Sequence, residues 1–219
     1  MAEAVPPPLL IDLDNTLIDR DAAFRDALTA FLGTWQLPVP DVEWLMTVDA
    51  SGYTPRQDVA RAMAGRYGGR VPESAVEALL DQGAADRVVL PPETRAALER
   101  AAAGRPCVIV TNGRTAQQEA KIRRSGLDGV VHGWVVSEAV GHKKPAPEIF
   151  RAAAATVGAP LRGAWVVGDS PQADIAGAHR LGLRSVWVSG GRPWTGMPFA
   201  PTRIAHDAAT AITRILDVP

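Results

Sequence analysis

The sequence predicts an α/β protein with a three-layer α/β/α, Rossmann-like core, in which a parallel sheet lies between two layers of helices. Short apolar runs alternate with helix-length amphipathic stretches, a pattern typical of βαβ units with parallel strands. The runs are also almost continuously apolar, for example AWVV at residues 164–167. Continuous apolar character is expected of strands that are covered on both faces.

Five apolar runs are predicted to be strands. They comprise residues 9–13, 107–110, 130–136, 164–167 and 185–188. The helices predicted after the second strand comprise residues 114–125, 147–157, 172–181 and 206–216. Residues 190–201, rich in Gly and Pro, are predicted to form an irregular surface loop before the last helix.

The long segment between the first two strands has helical periodicity and no strand pattern. Its predicted helices comprise residues 21–35, 42–47, 55–67, 72–82 and 92–103, of which the last is the crossover helix. Residues 20–90 are therefore predicted to be an all-α domain inserted into a core of residues 1–19 and 91–219. An insertion after the first strand would overhang the sheet edge where ligands bind, so it is a candidate lid.

Composition excludes several classes of protein. Acidic and basic residues number 24 and 23, so no global field favours nucleic acid or an anionic membrane. The single cysteine, Cys107, rules out an internal disulfide and a cysteine-based zinc site. The sequence has no secretory-signal pattern and no apolar stretch of the roughly 20 residues that a membrane span needs. We expect a cytoplasmic, soluble protein without nucleic-acid or membrane partners; the sequence indicates no particular oligomeric state.

The most informative feature is the acidic pair Asp12 and Asp14, which follows the apolar run at residues 9–11. Side chains two residues apart on extended backbone point to the same side, so the two carboxylates lie close together. They repel each other unless a cation lies between them or one holds a proton. The ordinary alternative is that this Asp-Asn segment is a turn that caps the next helix.

Polar residues also follow the second and third predicted strands. The sequence Thr111-Asn112-Gly113 offers a hydroxyl, an amide and backbone N–H groups at a helix start, which suit an oxyanion. Lys144 lies in the loop after the third strand and could bind a phosphoryl oxygen as a compact cation. A plain turn and a solvated lysine are the alternatives for these two segments.

Asp169 and Asp174 follow the fourth predicted strand, and the turn at residues 170–171 can bring both carboxylates to one place. Either residue could instead cap the helix or favour its N-terminus. Together with Asp12 and Asp14, they would form an all-oxygen site suited to Mg²⁺.

In chain order these segments are Asp-x-Asp-x-Thr, Thr-Asn, Lys-Pro and Gly-Asp-x4-Asp, each at a predicted strand end. In this combination the chain resembles the hydrolases of the haloacid dehalogenase (HAD) superfamily, specifically the phosphatase branch with a small α-helical cap of the C1 type. The resemblance covers the predicted sheet domain from end to end. The inserted segment resembles the cap in its position, not through a signature of its own.

The resemblance implies that Asp12 is a nucleophile that forms an aspartyl-phosphate, and that Asp14 is the general acid and then the general base. Mg²⁺ would be bound by Asp12, the backbone carbonyl of Asp14 and Asp169, with Asp174 in support or as a direct ligand. The remaining implied roles are phosphoryl binding by Thr111, Asn112 and the Gly113 backbone, charge neutralisation by Lys144, and support of the loop by Thr16.

Asp14 also indicates the reaction, because the namesake dehalogenases lack an aspartate at that position. The implied function is a Mg²⁺-dependent phosphatase acting on a small phosphate ester. A sugar-phosphate mutase is the alternative, although the best-known mutases of the family carry Gly-Val where this chain has Asn15-Thr16. A phosphoacceptor or regulatory domain is a further alternative, but receiver domains place their acidic pair first and lack a lid.

Substrate specificity is expected from the inserted domain, since the sheet side binds only the phosphoryl group. The candidate substrate-binding residues there are Arg20, Tyr53 and Arg56. Arg20, the nearest in sequence to the catalytic loop, would suit a second anionic group or sugar hydroxyls. A nucleoside monophosphate, a sugar phosphate and flavin mononucleotide all remain open.

Overall fold

The computed structural model describes residues 5–82 and 84–217, which divide into two compact units. One unit comprises the chain up to Ile18 together with the chain from Leu90 onward. The other is the continuous segment Asp19–Val89. The sequence predicts these two junctions between residues 19 and 20 and between residues 90 and 91, each one residue later in the chain than in the structure.

The first unit contains a six-stranded sheet with strand order β3-β2-β1-β4-β5-β6. All adjacent strands are parallel, and Leu10 lies opposite Val108 and Val166 in the neighbouring strands. The strands are β1 (Leu9–Ile11), β2 (Cys107–Thr111), β3 (Gly133–Val136), β4 (Trp165–Gly168), β5 (Arg184–Val188) and β6 (Arg203–Ala205). The prediction of a parallel α/β fold is confirmed.

Among the described residues of the segment Asp19–Val89, all regular structure is helical, whereas helices alternate with strands in the first unit. The helices of the segment Asp19–Val89 are α1 (Arg20–Thr34), α2 (Asp41–Asp49), α3 (Arg56–Tyr67) and α4 (Glu73–Gln82). Those of the first unit are α5 (Pro92–Ala102), α6 (Thr115–Arg124), α7 (Ser137–Val140), α8 (Pro147–Thr156), α9 (Ala176–Arg180) and α10 (Ala208–Leu216). Among the described residues, no helix combines the length and apolar character needed to cross a membrane.

The sheet has apolar side chains on both faces. On one face, Leu10, Val108 and Val166 are buried against Phe150 of α8. Successive side chains of a strand point to opposite faces, so Leu9 points to the other side of the sheet. There α5 packs against α10, and these two helices contact β2 and β4 respectively. Burial on both faces explains why the strands are almost continuously apolar.

Some elements differ from those expected. Strand β6 and helix α7 were not predicted, because three or four residues are too few to show a periodic pattern. The single helix predicted over residues 172–181 is a π-helical turn, Pro171–Ile175, followed by α9. The remaining predicted elements differ from the structure at their ends, where helix and strand boundaries are least defined.

The helical unit contains a polar cluster between α2 and α3. Arg66 donates two hydrogen bonds to the Asp41 carboxylate at 2.8 and 2.6 Å, and the Tyr67 hydroxyl donates a third at 3.1 Å. The hydrogen bond from Arg66 lowers the pKa of Asp41, and burial raises the pKa of Tyr67 to about 12. This cluster joins the start of α2 to the end of α3.

Candidate active site

The candidate site lies at the carboxyl ends of β1 and β4, the two central strands of the sheet. The strand order changes direction between them, which is where open parallel sheets form a ligand-binding crevice. Asp12 follows β1 and Asp169 follows β4. The Asp12 N–H donates to the Val167 carbonyl at 2.9 Å, so the chain stays paired with β4 as it leaves β1.

A buried lysine joins two of the predicted carboxylates. Lys144 Nζ donates to Asp12 Oδ1 at 2.6 Å and to Asp174 Oδ1 at 2.7 Å. The Thr16 hydroxyl donates to the other Asp12 oxygen at 3.2 Å, and the Ser170 N–H donates to the other Asp174 oxygen at 3.1 Å. Every oxygen of the two carboxylates therefore accepts a hydrogen bond, which fixes their orientation.

The electrostatics of this cluster favour an additional cation. Burial raises the pKa of Asp12 to about 8; the Lys144 ammonium opposes the rise, and the carboxylates of Asp174 and Asp169 add to it. Burial and Asp174 raise the pKa of Asp169 to about 7, against an opposing effect of Arg192. Burial by itself would lower the pKa of Lys144, but Asp12 and Asp174 raise it above its ordinary value. Ionising Asp12 and Asp169 together is thus costly without more positive charge.

Three carboxylates are close enough to share a metal ion. One oxygen from each of Asp12, Asp169 and Asp174 lies within 4.8 Å of the others. A hard divalent cation such as Mg²⁺ prefers oxygen ligands of this kind. Gly168 makes the arrangement possible, because a Cβ at that position would lie 2.2 Å from the Asp174 carboxyl group.

Arg192 is a contributor that the sequence did not indicate. Its Nη2 donates to Asp169 Oδ2 at 3.2 Å and to the Asp169 carbonyl at 2.9 Å. Trp187 Nε1 donates to the same carbonyl at 2.8 Å. Arg192 lies in the predicted irregular loop after β5, where no periodic pattern distinguishes a functional arginine from a solvated one.

The carboxylate of Asp14 points to a different set of partners. Lys121 Nζ contacts both of its oxygens, at 2.8 and 2.7 Å, and Gln118 Nε2 donates to one of them at 3.0 Å. The Asp14 side chain is thus outside the group of three carboxylates. Only its backbone carbonyl, the atom that the family resemblance indicates, is left as a candidate metal ligand.

The predicted phosphoryl-binding residues at the end of β2 and just after it make hydrogen bonds within the protein. Thr111 is buried, and its hydroxyl accepts a hydrogen bond from Gln118 at 2.5 Å. The Asn112 side chain binds the Lys144 backbone, accepting from its N–H at 2.8 Å and donating to its carbonyl at 3.2 Å. The Gly113 N–H donates to Ser137 Oγ at 3.0 Å. Asn112 therefore positions the Lys144 loop, and the Gly113 N–H already has a protein acceptor.

The three candidate substrate-binding residues of the helical unit have different surroundings. Arg20 is buried, and its guanidinium donates to both oxygens of Asp49 and to Asp21. Arg56 donates to Asp81 at 2.9 Å. Tyr53 is 69% exposed. The contacts of Arg20 are thus made within the helical unit, and its assignment as a specificity residue stays a prediction.

The fold and the site define an α/β protein with a buried acidic cluster at the switch point of a parallel sheet. A family model described as haloacid dehalogenase-like hydrolase matches residues 9–182. The chain belongs to this family, and the prediction of a HAD-superfamily hydrolase is confirmed.

Curated relatives match shorter segments. The chain is 38% identical over 106 residues to a phosphoserine phosphatase of Thermus thermophilus, a match covering 48% of this chain and 43% of the relative. It is 38% identical over 82 residues to the pyrimidine 5'-nucleotidase YjjG of Escherichia coli, covering 37% of this chain and 36% of the relative. The matched segments thus span less than half the length of either relative.

The fold is shared along almost the whole chain with a solved structure, the magnesium-bound HAD-hydrolase YfnB of Bacillus subtilis. The two structures align with a TM-score of 0.78 at 23% identity, covering 98% of this chain and 100% of YfnB. A likeness at this level of identity establishes a common fold.

Proposed function

We propose that this protein is a Mg²⁺-dependent phosphatase that hydrolyses a small phosphorylated metabolite through an aspartyl-phosphate on Asp12. The observation that carries the proposal is the environment of Asp12 at the end of β1. Its carboxylate is buried, oriented by Lys144 and Thr16, and near the carboxylates of Asp169 and Asp174. A fixed, partly neutralised carboxylate is what nucleophilic attack on phosphorus requires.

The residues present fit a magnesium ion. The carboxylates of Asp12, Asp169 and Asp174 would bind it, and we propose the backbone carbonyl of Asp14 as a further ligand. The raised pKa values of Asp12 and Asp169 support this assignment, because a cation between them would favour their ionised forms. Bound Mg²⁺ would neutralise charge on the phosphoryl oxygens.

Besides the metal ion, the ammonium group of Lys144 supplies positive charge at the site. Lys144 favours the ionised form of Asp12 and, from the same position, can attract a phosphoryl oxygen. The Thr111 hydroxyl accepts from Gln118, so its own proton is available for donation to a phosphoryl oxygen. Asn112 acts indirectly, by holding the backbone of Lys144.

Asp14 would carry the proton. As the Asp12 oxygen bonds to phosphorus and the ester P–O bond breaks, Asp14 gives a proton to the leaving oxygen. It then takes a proton from the water that attacks phosphorus and releases Asp12. Its position two residues after Asp12, with a side chain partly exposed, suits this exchange.

The substrate class rests on the relatives. They are named for an amino-acid phosphate in one case and for pyrimidine nucleotides in another, so what they share is a small phosphate monoester. We propose the same class for this chain, with the helical unit Asp19–Val89 as a cap that supplies substrate contacts.

The test is Mg²⁺-dependent release of phosphate from p-nitrophenyl phosphate, followed by a screen of phosphorylated metabolites. We expect the wild type to be active and Asp12→Asn to lose activity by about 10⁴-fold or more. Asp128→Asn, an exposed carboxylate changed in the same way, should match the wild type. An active Asp12→Asn variant contradicts the proposal, as does isomerisation of a sugar phosphate without release of phosphate.

A further inference from the structure

Helix α6 carries two polar side chains, Gln118 and Lys121, that are buried rather than solvated. Lys121 Nζ lies 2.8 and 2.7 Å from the two oxygens of Asp14, with 3% of its side chain exposed. Gln118 Nε2 lies 3.0 Å from Asp14 Oδ2. Burying an ammonium group is costly unless it is paired, so the place of Lys121 depends on Asp14.

The orientation of the Gln118 amide follows from its neighbours. An amide oxygen facing Asp14 Oδ2 would bring two acceptors together, so the nitrogen must face the carboxylate. The same nitrogen donates to the Thr111 hydroxyl at 2.5 Å. Gln118 therefore connects the proposed proton carrier to the proposed phosphoryl-binding hydroxyl.

The sequence explains how one helix reaches both groups. Helix α6 begins at Thr115, four residues after Thr111 ends β2, so its first turns lie near the carboxyl edge of the sheet. Gln118 and Lys121 are three residues apart and so lie on one face of the helix. Their donors contact both oxygens of Asp14, which restricts rotation of its carboxylate.

From this geometry we infer that Lys121 and Gln118 are positioning residues for the second half of the reaction, in which the aspartyl-phosphate is hydrolysed; the inference rests on the proposed function. In this step the water oxygen bonds to phosphorus, the bond between phosphorus and the Asp12 oxygen breaks, and the water proton passes to Asp14. Both side chains donate to Asp14, so they hold its carboxyl group in a fixed direction.

The first half of the reaction depends less on these contacts when the leaving group is good. p-Nitrophenolate departs from phosphorus with little help from an acid, so Asp12 can still be phosphorylated when Asp14 is misplaced. Hydrolysis of the aspartyl-phosphate gains nothing from the good leaving group, because p-nitrophenolate has already departed when this step begins. Loss of Lys121 or Gln118 should therefore make dephosphorylation the slow step.

The experiment is rapid mixing of Lys121→Met with p-nitrophenyl phosphate and Mg²⁺. We expect a burst of p-nitrophenolate stoichiometric with enzyme, then steady-state turnover about 10²-fold below wild type. Phosphorylated Asp12 should accumulate and be trapped by acid quenching. Gln118→Met should show the same pattern more weakly. Because this variant keeps Lys121 paired with Asp14, it still tests the inference if Lys121→Met does not fold.

The matched control is Arg124→Met, an exposed cation on the same helix, which should retain the wild-type rate and show no enlarged burst. A uniform loss without a burst in Lys121→Met and Gln118→Met would mean a merely structural role and overturn the inference. So would wild-type kinetics in both variants. A wild type that releases no phosphate would instead overturn the proposed function, and the inference with it.

Discussion

The ammonium group of Lys144 lies 2.6 Å from an oxygen of Asp12, although 132 positions separate the two residues in the chain. The same ammonium group lies 2.7 Å from Asp174, and all three side chains are nine-tenths or more buried. One cation thus holds two carboxylates in a place where water cannot screen them. This relationship is the basis of the charge balance proposed for the site.

Replacing Lys144 with methionine should leave those two carboxylates buried without their cation. We expect the free energy of unfolding of the metal-free protein to fall by about 3–5 kcal/mol, because breaking a buried ion pair leaves an uncompensated charge. Activity should fall by about 10²-fold or more. Urea unfolding and initial rates measure the two effects. Lys143→Met, at the exposed neighbour, is the control, and equal behaviour of the two variants would refute the role given to Lys144.

Gly168→Ala tests whether the acidic cluster depends on the absence of a side chain at the end of β4. The added Cβ would lie 2.2 Å from the Asp174 carboxyl group, so this group or the backbone has to move. We expect a loss of stability of about 1–3 kcal/mol and weaker Mg²⁺ binding, measured by urea unfolding and calorimetric titration. Gly129→Ala, where a Cβ meets nothing within 4 Å, should change neither. Unchanged Mg²⁺ affinity in Gly168→Ala would count against Asp174 as part of the metal site.

Asn112→Ala distinguishes positioning from phosphoryl binding. The variant loses two hydrogen bonds to the Lys144 backbone. If Asn112 acts only through Lys144, kcat should fall by about tenfold while KM for the phosphate ester stays close to wild type. If Asn112 binds the phosphoryl group itself, KM should rise as well. Steady-state kinetics on p-nitrophenyl phosphate separate the two outcomes.

The Asp41–Arg66 pair predicts a pH dependence in the helical unit. The hydrogen bond from Arg66 lowers the pKa of Asp41 in the folded protein, so the unfolded chain binds the proton more readily. The stabilisation is therefore present above the ordinary aspartate pKa of about 4 and is lost as the pH falls below it. Asp41→Asn should lower the thermal midpoint at neutral pH, and the difference from wild type should shrink in acid.

Thermal unfolding followed by circular dichroism across the acid range measures this difference. The control is Asp58→Asn, which removes an exposed carboxylate paired with Arg61 one helical turn away. Exposed pairs contribute little, so this variant should differ little from wild type at any pH. A difference between Asp41→Asn and wild type that is constant with pH would exclude the proposed linkage.

Local pattern explains how much of the fold the sequence could predict. Strands β1, β2 and β4 are buried along their whole length, so each is an almost continuous apolar run that stands out from its surroundings. Strand β6 could not be found in this way. It has three residues, one of them the exposed Ile204, and it exists because β5 pairs with it.

The site residues also divide into those that a local sequence pattern could locate and those that only the folded structure reveals. The carboxylates at strand ends could be located because a parallel sheet brings its carboxyl ends together. Gln118 and Lys121 could not, since a buried polar residue on a helix has the same sequence appearance as a solvated one. For Arg20, nearness in sequence to Asp12 suggested a substrate role, whereas the partner that its guanidinium has in the structure, Asp49, lies 29 residues further on and could not be found from sequence spacing.

The most direct test of the central claim is to identify the phosphorylated residue during turnover. The enzyme is mixed with substrate and Mg²⁺, quenched in acid, digested and analysed by mass spectrometry. The account predicts a hydroxylamine-sensitive acyl phosphate on Asp12 that needs Mg²⁺ and is missing in Asp12→Asn. Phosphate attached to any other residue, or turnover with no phosphoenzyme at any time point, would contradict it.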